Sequence, residues 1–100
     1  MIYSIEKITT LIGARRIGNT DAQIGWLLTD SRSLCFPEES LFFALQSQRN
    51  DGHRYIKDLY RRGVRNFVVE KLQVEGEDLT TYTDANILIV PSTLSALQRL

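Results

Sequence analysis

The chain of 100 residues balances twelve Lys and Arg against twelve Asp and Glu, is 43% apolar, and holds a single Cys. That length fits one domain with one modest core. Zero net charge supplies no field for nucleic acid or an anionic membrane, the lone Cys35 excludes an intrachain disulfide and a cysteine-based zinc site, and no apolar run nears the roughly 20 residues that span a bilayer.

The first seven residues, Met1-Ile2-Tyr3-Ser4-Ile5-Glu6-Lys7, have neither a basic n-region nor an apolar h-region. No signal peptide is read there, and unpaired cysteine use predicts a cytoplasmic setting. Ser4 is placed to cap a helix in which Ile5, Ile8, Leu11 and Ile12 recur at helical spacing, with Gly13 as its stop. Residues 14–23 are polar and turn-rich, through Gly18-Asn19-Thr20-Asp21. Residues 24–29 read as a strand ending at Asp30, and residues 31–40 as a connection containing Pro37.

Leu41-Phe42-Phe43-Ala44-Leu45 is a continuously apolar run, the mark of a strand buried on both faces. A polar loop over 46–52 follows, then a helix over 53–62 with Tyr55, Ile56, Leu59 and Tyr60 on one face and Gly63 at its close. Asn66 to Glu70 is a second buried strand, so 41–70 forms a βαβ unit with parallel strands. Residues 72–84 are acidic and predict a loop or a loose helical turn. Ile87 to Val90 is a third buried strand, and Pro91-Ser92-Thr93 opens a helix through Leu94, Leu97 and Leu100. The helical pattern runs out with no cap, which predicts the front piece of a longer protein. The fold class expected is α/β, a small mixed sheet containing a parallel βαβ unit.

Two polar segments carry candidate chemistry. Thr29-Asp30-Ser31-Arg32-Ser33 follows a strand, and ligands bind at the carboxyl edge of open α/β sheets. The segment reads either as an Asx-type turn with Asp30 paired to Arg32, or as a ligand edge where the Ser31 hydroxyl both donates and accepts. Gln48, Arg49 and Asn50 form the second segment, either a solvated loop or a set of groups matched to a polar ligand. His53, the only histidine, follows Asp51-Gly52; no nucleophile or further metal ligand is placed beside it, so it reads as structural. Arg61, Arg62 and Arg65 read as a solvated helix end, or as a face for an acidic partner in a simple interaction module. No phosphate loop and no Gly-x-Gly-x-x-Gly occurs.

The order Asp30-Ser31-Arg32, then Leu41-Phe42-Phe43-Ala44, then Asp51-Gly52-His53 resembles the N-terminal domain of the Mur ligases, which build the peptidoglycan precursor. The resemblance runs from about Ile5 to Leu100. The double Phe and Arg49 make it most like the MurF type, which adds D-alanyl-D-alanine to UDP-N-acetylmuramoyl-tripeptide; the type adding the third amino acid, MurE, is the alternative.

The resemblance implies that residues 1–90 bind the UDP end of a UDP-N-acetylmuramoyl-peptide and that 91–100 begin the helix leading into an ATP-binding central domain. It implies contacts from Thr29, Ser31, Gln48, Arg49 and Asn50, with Asp30, Arg32, Asp51 and His53 bracing the turn and loop. No residue here is implied to be catalytic. ATP and Mg²⁺ are implied for the whole ligase and no cofactor for these residues, and some MurF-type relatives carry a fused alanine racemase. The family usually has Gly where Ser47 stands, which implies a different loop path, and often has an aromatic or small residue where Asn50 stands.

Overall fold

A computed structural model describes residues 2–46 and 51–100. Its centre is a five-stranded sheet in the order β2-β7-β6-β5-β4. Strands β4 (Trp26–Leu28), β5 (Ser40–Phe43), β6 (Asn66–Glu70) and β7 (Asn86–Val90) run parallel, and β2 (Arg15–Ile17) closes one edge antiparallel to β7. The expected mixed sheet with a parallel βαβ unit is therefore present.

Alternation along the central strands explains why the sheet is covered on both faces. Phe42, Phe67, Val69 and Ile87 point to one side, where they meet Ile56 and Leu59 of α2 (Ile56–Arg61) and the buried Val74 and Leu79. Leu41, Phe43, Val68, Leu88 and Val90 point to the other, against Ile5, Ile8 and Ile12 of α1 (Ile5–Ile12) and Ala96 of α4 (Thr93–Gln98). Burying each of the larger side chains stabilises by about 1.5–3 kcal/mol before entropy is counted.

The termini of α1 are built as its sequence predicts. The Ser4 hydroxyl accepts from the Lys7 N–H at 3.1 Å, and Gly13, at φ 65°, ends the helix in the left-handed conformation that glycine adopts without a Cβ clash. Arg99 donates to the Ile12 carbonyl at 3.3 Å, which ties α4 to the carboxyl end of α1.

Three expectations are corrected. The polar segment 14–23 contains strand β2, because Arg16 reaches across to the Asn86 side chain at 2.9 Å while Ile17 packs on the core. The single strand expected over 24–29 is broken at Gly25. Gln23 and Ile24 form β3 and pair with β1 (Tyr3–Ser4), whereas Trp26–Leu28 joins the main sheet. The Gly25 N–H is drawn off to the Glu39 carbonyl at 2.9 Å. The expected helix over 53–62 opens as a tight 3₁₀ turn over Gly52–Tyr55 and becomes α-helical only at Ile56. In the acidic stretch, one short helix, α3 (Lys71–Val74), precedes a 3₁₀ turn at Leu79–Thr81.

Candidate functional site

Parallel strands put their following segments at one edge of the sheet. Residues 29–33 after β4 and residues 44–46 after β5, with Gly52 bonded back to Leu45, are therefore neighbours. Between them lies a cleft of about 500 Å³ lined by Thr29, Asp30, Ser31, Arg32, Leu45, Gly52 and Tyr55.

The first wall is a 3₁₀ turn over Ser31–Ser33. The Asp30 carboxylate accepts from the Arg32 N–H at 2.9 Å and from the Arg32 guanidinium at 2.9 and 3.1 Å. The Arg32 side chain, followed by its N–H, holds the Asp30 carboxyl below the usual carboxylate range. Arg32 projects into solvent, its side chain 88% exposed, so this pair shapes the turn and contributes little as a surface salt bridge. Arg62, just past the end of α2, donates to the Ser31 carbonyl at 3.2 Å. Thr29 is exposed and Ser31 half-buried, and both hydroxyl-bearing residues line the cleft.

The opposite wall is the base of the 46–51 loop, closed by an antiparallel bridge between Gln46 and Asp51. The Gly52 N–H donates to the Leu45 carbonyl at 2.7 Å. A Cβ on Gly52 would lie 2.8 Å from the Leu45 nitrogen and 3.0 Å from the Ala44 Cα, so only glycine lets the loop's end approach its beginning this closely. Gln48, Arg49 and Asn50, expected to contact ligand, lie outside the described residues.

His53 is held from both ring nitrogens. Nδ1 lies 2.5 Å from Asp51 Oδ1, and Nε2 accepts the Glu70 N–H at 2.9 Å. That fixes the neutral tautomer with the proton on Nδ1. Burial pushes the Asp51 carboxyl up, but the His53 N–H and ring outweigh it and leave the group below its ordinary value. The His53 side chain is 8% exposed and absent from the cleft lining.

The structure thus brings Thr29, Asp30, Ser31 and Arg32 to one wall and Asp51 and His53 to the support of the other. Residue-level reading missed Tyr55 and Leu45, which also line the cleft. Tyr55 reads as one of the core-facing residues of a helix; it does pack against the core, half-buried, and also lines the cleft. Among the described residues, no group of three or more His, Cys, Asp or Glu side chains is arranged to hold a metal ion. No described helix is long and apolar enough to cross a membrane.

No protein-family model matches the chain. Over 68 residues it is 37% identical to the UDP-N-acetylmuramoyl-L-alanyl-D-glutamate--2,6-diaminopimelate ligase of Clostridium botulinum, a match spanning 68% of the chain and 13% of that protein. The whole chain superposes on the solved UDP-N-acetylmuramoylalanyl-D-glutamyl-2,6-diaminopimelate--D-alanyl-D-alanyl ligase of Acinetobacter baumannii with a TM-score of 0.76 and 22% identity, covering 21% of that chain. A crystal structure of MurF from the same organism gives 0.76, 22% and 20% for the same quantities. Fold and local sequence together make this a Mur ligase domain. It spans about a fifth of the solved ligases it superposes on.

Proposed function

We propose that the chain is the N-terminal unit of a Mur ligase and holds the UDP end of a UDP-N-acetylmuramoyl-peptide for peptidoglycan precursor synthesis. The observation that carries this reading is the cleft at the carboxyl edge of the sheet, walled by Thr29 and Ser31 on one side and by the base of the 46–51 loop on the other. The Ser31 and Thr29 hydroxyls suit a uracil carbonyl or a ribose hydroxyl. Gln48, Arg49 and Asn50 would add contacts to the base or the phosphates, Arg49 as a charge-assisted donor. Asp30, Arg32, Asp51 and His53 keep the two walls in place.

Within the ligase, this unit would act through binding energy remote from the reacting carboxyl, which positions that group for attack. ATP and Mg²⁺ belong to the remainder of such an enzyme. Residues 1–90 are the substrate-anchoring unit in this reading, and 91–100 lead toward the ATP-binding part.

The D-alanyl-D-alanine-adding type is favoured by Phe42-Phe43 and Arg49. The diaminopimelate-adding type is the second reading, favoured by the 37% identity to the botulinum ligase. An interaction module built on the arginine cluster is disfavoured, because Arg62 and Arg65 are engaged within the chain by Asp58, the Ser31 carbonyl and Asp84.

The test is an NMR titration of the ¹⁵N-labelled chain with UDP-N-acetylmuramoyl-tripeptide, with ATP as the control. Shifts in 29–33 and 52–55 with the first ligand alone are expected. Ser31→Ala should weaken binding about threefold to tenfold, the equivalent of one hydrogen bond. Equal responses to both ligands, or shifts confined to the opposite edge of the sheet, would refute the reading.

A further inference from the structure

Glu70 and Thr93 line no part of the cleft, yet both are tied into the loop that walls it. Glu70 ends β6, directly opposite Val90 at the end of β7. Its N–H donates to His53 Nε2 at 2.9 Å. Its carboxylate oxygen Oε2 accepts from the Thr93 N–H at 3.1 Å and lies 2.8 Å from Thr93 Oγ1. Thr93 is fully buried, and its hydroxyl also lies 3.1 Å from the Ala44 carbonyl.

These bonds form a closed circuit. Ala44 leads into Leu45, whose carbonyl takes the Gly52 N–H. Gly52 adjoins His53, His53 reaches Glu70, Glu70 reaches Thr93, and Thr93 returns to Ala44. The start of the loop, its end, the end of β6 and the first residue of α4 are therefore mutually fixed. The hydroxyl has one proton and two acceptors in reach, so it serves one at a time while the Thr93 N–H keeps the other hold on Glu70. Partly satisfied buried networks are costly, so removing one member disturbs the rest.

We propose that Glu70 and Thr93 are positioning residues for the wall of the UDP-end site formed by Leu45 and Gly52, acting through His53 and Ala44. This rests on reading the cleft as that site.

Three variants of the chain decide it: Thr93→Val, which removes the hydroxyl and keeps the shape; Thr93→Ser, which restores it; and Glu70→Gln. Two readouts are followed, the ¹⁵N signals of the His53 ring with the amides of 51–53, and the Kd for UDP. Thr93→Val should shift those signals and raise the Kd about threefold or more, with Thr93→Ser close to the parent. A Thr93→Val chain that loses only Tm, with both readouts unchanged, overturns the proposal; so does failure of Thr93→Ser to recover them. Should Thr93→Val not fold, Glu70→Gln is judged by the same two readouts. If the parent chain binds no UDP, the reading of the cleft falls and the His53 signals alone decide the coupling.

Discussion

At the scale of single residues, Gly52 is the tightest constraint in the site. Its neighbours at 2.8 and 2.9 Å from an added Cβ are the backbone nitrogen and oxygen of Leu45, which cannot swing aside as a side chain would. Gly52→Ala should therefore destabilise the chain by about 1–3 kcal/mol, as overpacking does elsewhere. A urea titration reads this as a lower midpoint at unchanged slope, and an unchanged midpoint contradicts the close approach. What was legible at this scale follows sequence distance. The Asp30–Arg32 pair, two residues apart, reads as an Asx-type turn, and His53, two residues from Asp51, reads as structural; both contacts are present. The links from His53 to Glu70 and from Glu70 to Thr93 span 17 and 23 residues and depend on the register of β6 with β7, so no local pattern announces them.

At the scale of elements, the runs 41–45, 66–70 and 87–90 read as buried strands, and the three central strands fall on them, although β5 starts at Ser40 and ends at Phe43, before Ala44 and Leu45. Their legibility comes from burial on both faces, which forces continuous hydrophobicity. Strand β2 carries no such signal. Arg15 and Arg16 lie in a segment that reads as polar and turn-rich, and the strand is specified by tertiary partners, Asn86 and the backbone of β7. Helix α2 shows the same dependence. Six residues are too few to be helical alone, so its stability comes from the face it buries. Leu59 is fully buried at the centre of that face, among residues from β5, β6 and β7. Leu59→Ala should cost about 2–5 kcal/mol, a large share of the roughly 5–15 kcal/mol that a domain commands. Circular dichroism during thermal unfolding checks this, and a Tm within a degree or two of the parent would mean α2 is not held by that contact.

At the scale of the whole molecule, balanced charge leaves particular pairs to set the pH dependence. Asp84 accepts from the Tyr60 hydroxyl and from Arg65 Nε, the latter at 2.9 Å, and the Arg65 guanidinium lies 4.0 Å over the Tyr60 ring. Tyr60 and then Arg65 hold the Asp84 carboxyl below its ordinary value, while Asp84 in turn raises the Tyr60 phenol. A depressed carboxylate contributes stability that is present above its unfolded pKa and lost as pH falls through the folded one. A raised phenol contributes stability that is present below its unfolded pKa and lost as pH rises through the folded one. Urea midpoints should thus form a plateau that falls on the acid side below about pH 4 and on the alkaline side above about pH 10. Asp30, Asp51 and Asp78 are also depressed and share the acid limb, but none of them raises the phenol. Asp84→Asn should consequently make the acid limb shallower in part and remove Tyr60's contribution to the alkaline limb. A variant that changed neither limb would show that Asp84 does not join α2 to the start of β7 through charge. One that changed the acid limb alone would leave Arg65 as its sole partner.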